Sequence, residues 1–292
     1  MTDMEGYGVS QPVPKLKSRF RAWRLKGGYL ILNLLAAPLI LLPLLYAVSV
    51  AFMPAGDLFT TKLNLFPTHP TWTNYSSALE SVPLGRFVFN SFVVASLITL
   101  GQVVSCALAA FSFSFLRFRG REWAFMLVMS TMMIPGEATI VSNYLMVSGW
   151  QWIDTYQVLI VPYLTSAMGI FLFRQFFDQF PMALYESARL CGCSNWRFLF
   201  SLLLPLSKPA VGAMAVYTFL NAWNMYLWPL LVTGNTAMRT VQIGVGMLDN
   251  PDAQSITLMM AGVVIVILPS ILVFALGEKQ LVRGMFAGAV KG

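Results

Sequence analysis

PMALYESARLCGCSNWRFLFSLLLPLSKP runs from Pro181 to Pro209. It is the one long segment between the two chain ends that mixes charge with helical periodicity, and strongly apolar blocks flank it. Residues 182–190 contain neither Gly nor Pro and predict a short helix. Gly192 follows, and glycine takes without steric cost the left-handed conformation that ends helices. Ser194 is placed to cap a second helix, its hydroxyl accepting a backbone N–H two or three residues on. In that second helix Trp196, Leu199, Phe200 and Leu203 fall at three- and four-residue spacing and predict one apolar face. Pro205 and Pro209 punctuate its end. The local prediction is helix, tight turn, helix, with a membrane segment on either side.

The apolar blocks beside this stretch extend over the whole chain. Of 292 residues, 57% are hydrophobic and only 11% charged, against about 25% charged in a soluble domain. A span needs roughly 20 apolar residues to cross ~30 Å of hydrocarbon. By that measure spans are predicted at about 29–53, 88–115, 123–147, 158–173, 211–232 and 257–276. The first is kinked by Pro38 and Pro43; it is too long for a signal-peptide core and has no convincing cleavage site. The fold class is an all-α integral membrane protein of six transmembrane helices, with the helix-turn-helix between spans four and five. Residues 1–28 form a basic tail, 29–276 a single membrane domain and 277–292 a second tail.

A net charge of +7 would ordinarily suggest nucleic acid, but the placement of the charge argues against it. With the first tail in the cytoplasm, that side carries Lys15, Lys17, Arg19, Arg21, Arg24 and Lys26 in the tail. Arg117, Arg119 and Arg121 join them, then Arg174, Arg189, Arg197 and Lys208, and last Lys279, Arg283 and Lys291. Only Lys62, Arg86 and Arg239, of 19 basic residues, fall outside. The excess of cytoplasmic cations sets the orientation, and it puts both tails and the helix-turn-helix in the cytoplasm. The exterior then carries loops 54–87, 148–157 and 233–256. The first holds a predicted interfacial helix at 72–79 opened by Thr71, and the last an acidic, proline-bearing patch at 249–252.

Several chemistries have no residues to carry them. No GxxxxGK[ST] phosphate loop occurs, so the chain is not itself an ATPase. HExxH, GxSxG and Cys/His clusters are absent too, so the sequence offers no catalytic residue and the protein reads as no enzyme. Cys191-Gly-Cys193 hints at a metal, yet His69 is the only histidine and lies far off in sequence, so no metal or cofactor site is expected. Energy must come from a partner or from an ion gradient.

Polar groups inside the membrane are expensive and point to function. Glu137 follows Ile134-Pro135-Gly136 in span three, ~21 Å from Trp123 at 1.5 Å per residue. It faces a wet cavity or a neighbouring helix, or else pairs with backbone freed by the Pro-Gly break. Span five carries Tyr217, Asn221, Asn224 and Trp228 at helical spacing, which predicts a single stripe along a translocation path. Amides donate and accept, and flat rings offer faces to sugar C–H surfaces. Trp223, Tyr226 and Trp228 also suit an aromatic belt at the outer interface, though a belt does not explain Asn221.

The helix-turn-helix resembles the cytoplasmic coupling loop of the membrane subunits of bacterial ABC importers, the EAA loop. Its pattern of Glu-Ala-Ala, three residues, Gly and a later Leu-Pro stands here as Glu186-Ser187-Ala188, Gly192 and Leu204-Pro205. Ser187 and Cys191 depart from it: Ser187 keeps the small volume, while Cys191 stands where Asp is usual. Asn90-Ser91, Ile153-Asp154-Thr155-Tyr156, Phe171 to Phe177 and Trp223-Asn224 through Leu230 resemble the second permease subunit of the maltose-type importers. The resemblance runs from Tyr29 to the C-terminal Gly-Ala-Val-Lys-Gly. It implies a permease in the bacterial plasma (inner) membrane, paired as a heterodimer with a homologous second permease. Two ATP-binding subunits, which hold ATP and Mg, would grip the Glu186–Gly192 helix, and an extracytoplasmic solute-binding protein would deliver the solute. Carbohydrate in the form of oligosaccharide is the first expectation for the substrate, because no basic residue lies within the spans. Glycerol 3-phosphate or its diesters is the alternative. A secondary transporter working through Glu137 would predict an inverted repeat with discontinuous helices in matching halves, and no such pairing is found in the sequence.

Overall fold

The computed structural model describes residues 16–58, 65–249 and 253–286, with helices and no strand among them. Lys15, Lys62, Lys291, the C-terminal Gly-Ala-Val-Lys-Gly and residues 250–252 of the acidic patch lie outside the described residues. The chain opens with α1 (Leu16–Ala51) and α2 (Thr73–Ser81), followed by the long α3 (Leu84–Phe115). Next come α4 (Arg121–Ser130), α5 (Ile140–Gly149), α6 (Tyr156–Ile160) and α7 (Ala167–Phe177). The helix-turn-helix is α8 (Met182–Leu190) and α9 (Asn195–Phe198), prolonged by a π turn and α10 (Leu204–Leu206). Then α11 (Lys208–Trp223), α12 (Leu227–Val232), α13 (Val241–Gly246) and α14 (Ala253–Phe286) complete the bundle.

Three unbroken helical stretches are long and apolar enough to cross a membrane: Asn33–Ala51, Leu84–Phe115 and Ile256–Val282. The expected third and fourth spans are bent pairs, turning 90° between Arg121–Met133 and Gly136–Gly149, and 42° between Tyr156–Tyr163 and Ala167–Phe177. The expected fifth span is interrupted between α11 and α12, and α11 meets Asn195–Leu206 at 82°. Prolines account for much of this, because Pro removes a helix N–H and its ring crowds the carbonyl four residues back. Helix α1 already begins at Leu16 and α14 runs on to Phe286, so residues 16–28 and 277–286 are helical and continuous with the helices they adjoin. Gly27 and Gly28 each cost about 1 kcal/mol of helix propensity, too little to stop a helix with good formers on both sides.

Helix α11 lies against both α3 and α14, and α3 also packs on α7. The close approach of α7 depends on Gly169, where an added Cβ would sit 2.5 Å from Met214 Cε and 2.8 Å from Cys106 Sγ. Two apolar cores result. One gathers Phe87, Ile98, Val158, Leu159 and Trp223; the other gathers Phe111, Phe115, Phe173, Phe177, Phe198 and Leu203, with Tyr185, Ala188 and Cys193 of the helix-turn-helix packed on it.

At the end away from the helix-turn-helix, the connections are tied by side-chain hydrogen bonds. The predicted helix at 72–79 is present as α2, and Thr71 Oγ1 accepts the Thr73 N–H at 3.1 Å. Asn74 donates to the carbonyls of Ala51 and Met53 at 2.9 and 2.8 Å, satisfying acceptors that the end of α1 leaves orphaned. Asn90 donates to the carbonyls of Ala237 and Arg239 and accepts the Tyr156 hydroxyl at 2.8 Å. Ser91 Oγ accepts the Val241 N–H at 2.8 Å. Asp154 adopts φ 60° and its Oδ1 accepts the Asn235 N–H at 2.7 Å. The Asn-Ser and Asp-Thr-Tyr motifs thus form one knot between α3, α6 and the 233–240 connection.

Candidate functional site

Helix α8 ends as its residue types dictate. Gly192 has φ +78°, the Cys193 N–H donates to the Ala188 carbonyl at 3.0 Å and the Gly192 N–H to that of Arg189 at 3.0 Å. This paired closure is the Schellman motif, which satisfies carbonyls left open by the helix end. Arg189 adds a donor, Nη1 reaching the Cys193 carbonyl at 3.3 Å. Two residues later Ser194 caps α9, its Oγ accepting the Arg197 N–H at 3.3 Å. Tyr185 joins the two helices by donating to Asn195 Oδ1 at 2.9 Å. Its ring lies 5.3 Å from Phe115 and 5.1 Å from Phe198, so the turn is fixed to the end of α3.

The outward surface of α8 is left for something else. Glu186 and Ser187 are exposed, Ala188 is half-buried, and Leu190 is 90% exposed at the tip. Beyond the turn, the predicted single apolar face splits. Leu199 and Leu203 are buried together with Phe198, whereas Trp196 and Phe200 face outward, stacked at 5.9 Å and 4°. Apolar residues occupy most positions of this helix, so periodicity alone cannot select its inner face. Leu199–Leu203 is a π turn, with the Leu204 N–H donating to the Leu199 carbonyl. Leu204-Pro205 explains it: the proline has no N–H for Ser201, and one extra residue in the turn relieves the clash.

The residues expected along a translocation path fall into two groups. Glu137 sits exposed in the 3-10 turn Gly136–Thr139 at the 90° bend. Thr139 Oγ1 donates to the Gly136 carbonyl at 3.0 Å, and the Ala138 N–H to that of Pro135 at 3.1 Å. The carbonyl that Pro135 deprives of its helical donor, that of Thr131, accepts the Ile134 N–H at 3.2 Å, and Glu137 borders a cavity of about 350 Å³ together with Asn143, Tyr163, Tyr226 and Trp228. Three interruptions meet there: Pro135, the bend after Pro162-Tyr163, and the gap between α11 and α12.

The single stripe on span five is not formed. Helix α11 stops at Trp223, so Trp228 leaves the register of Tyr217, Asn221 and Asn224. It is only 5% exposed, its indole N–H donates to the Val158 carbonyl at 2.9 Å, and its ring meets Tyr163 edge-on at 6.4 Å. Trp228 therefore walls the cavity as part of the core. Tyr217, Asn221 and Asn224 stay on an exposed face of α11, outside the cavity lining. Asn221 and Asn224 donate back to the Tyr217 and Leu220 carbonyls, both at 2.8 Å, and Asn224 Oδ1 accepts from Gln242 at 3.1 Å. The sequence reading missed Asn143 and Tyr163 and gave Tyr226 only to an aromatic belt; Pro162 was the available signal, marking a second break near the first.

Arg174 of the Phe-Arg-Gln-Phe-Phe block lies at the helix-turn-helix end. Its guanidinium is 3.9 Å from the Phe125 ring centroid and pairs with Glu122 at 3.2 Å and Asp178 at 3.4 Å. It pins α4 to α7. No group of three or more His, Cys, Asp or Glu side chains capable of holding a metal occurs among the described residues.

The fold is a helical bundle with interrupted spans and a capped helix-turn-helix at one end. The chain belongs to the family described as the binding-protein-dependent transport system inner membrane component, whose profile matches residues 29–285. It is a permease of a binding-protein-dependent ABC importer. The sn-glycerol-3-phosphate transport system permease protein UgpE of Agrobacterium fabrum is 36% identical over 252 residues, covering 83% of this chain and 89% of the relative. Its counterparts in Yersinia enterocolitica and Brucella melitensis are 34% and 35% identical, covering 87% and 88% of this chain and 94% of each relative. Among solved structures, a bacterial ABC transporter involved in import of the acidic polysaccharide alginate matches with a TM-score of 0.78 at 18% identity. That match covers 92% of this chain and 99% of the other.

Proposed function

We propose that this chain is the second permease subunit of an importer for sn-glycerol 3-phosphate or its diesters, working as a heterodimer with a homologous permease. The observation that carries the substrate is the relatives' identity of 34–36% over most of both chains, under the name of glycerol-3-phosphate permeases. It favours the phosphate ester over the oligosaccharide expected first. In this reading both chain ends and the helix-turn-helix are cytoplasmic, flanking the 29–276 membrane domain. Glu186, Ser187, Ala188 and Gly192 seat in the cleft of an ATP-binding subunit, and Leu204-Pro205 sets the angle at which α9 and α10 meet α11. The partner subunits bind ATP and Mg. A short helix gripped in a cleft transmits rigid-body motion, so their closure on ATP rotates the spans between inward- and outward-open states. The exposed Leu190 beside Glu186 supports this use of α8, since a large apolar tip calls for cover by a partner.

The test is uptake into liposomes of the complex assembled with its second permease, ATPase and binding protein, offered labelled sn-glycerol 3-phosphate or maltotriose. ATP-dependent uptake of the phosphate ester alone is expected; uptake of maltotriose alone overturns the substrate reading. Orientation is tested with an impermeant maleimide. Cysteine placed at Gly234 should label in intact cells, whereas the exposed native Cys191 should label only in inverted vesicles.

A further inference from the structure

We propose that the cavity between the interrupted helices is the subsite for the hydroxyl-bearing end of the solute, with the phosphate held outside it. The proposal rests on the substrate reading above and adds which end of the molecule this subunit takes. The one charged group at the cavity is a carboxylate, and the other polar side chains there, Thr139, Asn143, Tyr163 and Tyr226, are neutral. Glu137 brings two carboxylate oxygens, and Asn143 commits one of its two amide N–H groups to Thr139 Oγ1 at 3.4 Å, which leaves the other N–H and Oδ1 for a ligand. The Trp228 indole N–H is already committed to the Val158 carbonyl at 2.9 Å, so its contribution to the cavity is its ring. The lining includes no Lys, Arg or His.

A phosphate monoester is anionic and offers acceptors, so it meets like charge and no cation in this space. Vicinal hydroxyls are the complement, for a carboxylate accepts two O–H donors side by side. The aromatic faces of Tyr163, Tyr226 and Trp228 give the C–H surface of a polyol a flat wall. A quaternary ammonium would suit the rings and the charge, but it has no donor for Asn143 Oδ1. The volume of about 350 Å³ also suits a small polyol. The position fits a passing solute, because the walls come from three segments whose helices are all interrupted there, the arrangement by which irregular backbone is tolerated at membrane depth.

The experiment uses the reconstituted importer with saturating wild-type binding protein and two solutes, sn-glycerol 3-phosphate and 3-hydroxypropyl phosphate, which lacks the middle hydroxyl. The same binding protein serves every permease variant, so a changed preference between solutes reports the membrane subunit. Wild type should prefer the diol, and Glu137→Gln and Asn143→Leu should each cut that preference, Glu137→Gln by about tenfold because a charge-assisted hydrogen bond is lost. Rates are scaled to the amount of permease inserted, so poor assembly of one variant does not mimic the effect. An unchanged preference in both variants overturns the subsite while leaving the substrate reading intact. Equal acceleration of both solutes by Glu137→Gln also overturns it, by assigning the carboxylate to repulsion of the anion. Failure of the wild-type importer to take up glycerol 3-phosphate removes the substrate reading and this subsite with it.

Discussion

The helix-turn-helix and the cavity are built in opposite ways. In the first, the hydrogen bonds that define the shape join near neighbours: Ala188 to Cys193, Ser194 to Arg197, Tyr185 to Asn195. An aromatic cluster then fastens the unit to α3 as one block. In the second, the walls come from residues 136–143, 162–163 and 225–228, and Trp228 bonds to a carbonyl 70 residues away. Short helical pieces meeting at 90° and 42° bends surround it. A block set by local caps moves without changing shape, which is what transmission of a partner's motion requires. A space walled by interrupted helices changes when the angles between the pieces change. The proposed lever and the proposed chamber thus differ in where their constraints lie along the chain.

That difference breaks most readily at Gly192. A β-branched residue at φ +78° is strained even though an added Cβ meets no atom within 4 Å, so the cost is conformational, about 1–2 kcal/mol or more. Gly192→Val should reduce ATP-driven uptake more than about tenfold while the spans insert and the cavity keeps its solute preference. Glu186→Lys, which reverses an exposed charge on the same helix, should act in the same direction. Normal uptake by both variants would remove the lever from the account.

A smaller effect is expected in the chamber wall. Trp228→Phe keeps a ring against Tyr163 but leaves the Val158 carbonyl without its 2.9 Å donor, a loss of about 1–3 kcal/mol. The thermal midpoint of the solubilised complex should fall. Tyr185→Phe in the lever removes a partly buried hydroxyl bond worth about 1 kcal/mol and should lower the midpoint less. A larger fall for Tyr185→Phe than for Trp228→Phe would contradict the assignment of long-range constraint to the chamber.

The lever was legible in the sequence because its determinants act within a turn. Gly192 and Ser194 each impose a backbone conformation on their immediate neighbours, and the left-handed φ and the cap follow; Pro205 was read as punctuation of the helix end, and the π turn that carries the helix past it was not foreseen. The inner face of α9 was not legible, since Trp196, Phe198, Leu199, Phe200 and Leu203 leave no polar side to orient it. Span positions followed from hydropathy, but hydropathy carries no direction, so the 90° turn after Met133 stayed hidden behind a visible Pro135. The end of α11 at Trp223 was hidden too. Asn224 bonds to its own helix at Leu220 and to Gln242, 18 residues on, and only the folded connection brings Gln242 there. A stripe drawn through that break joined residues that belong to different surfaces.

The smallest expected effect discriminates between those surfaces. Asn224 is exposed, its amide donates to the Leu220 carbonyl and its oxygen accepts from Gln242 at 3.1 Å. The Leu220 carbonyl sits in the last turn of α11 and also receives the Asn224 backbone N–H at 3.1 Å, so replacing the side chain orphans no backbone group. Gln242 is thereby released from Asn224. Asn224→Leu should therefore cost no more than about 0.5 kcal/mol and lower uptake by about twofold or less, with binding-protein-stimulated ATP hydrolysis unchanged. Tyr217 and Asn221 lie on the same exposed face and should respond alike. If Asn224→Leu instead cut uptake tenfold while ATP hydrolysis continued, the solute would be meeting the α11 face and not the chamber. The path would then run along the exposed stripe between the two permeases, and the Glu137 cavity would be a space beside it.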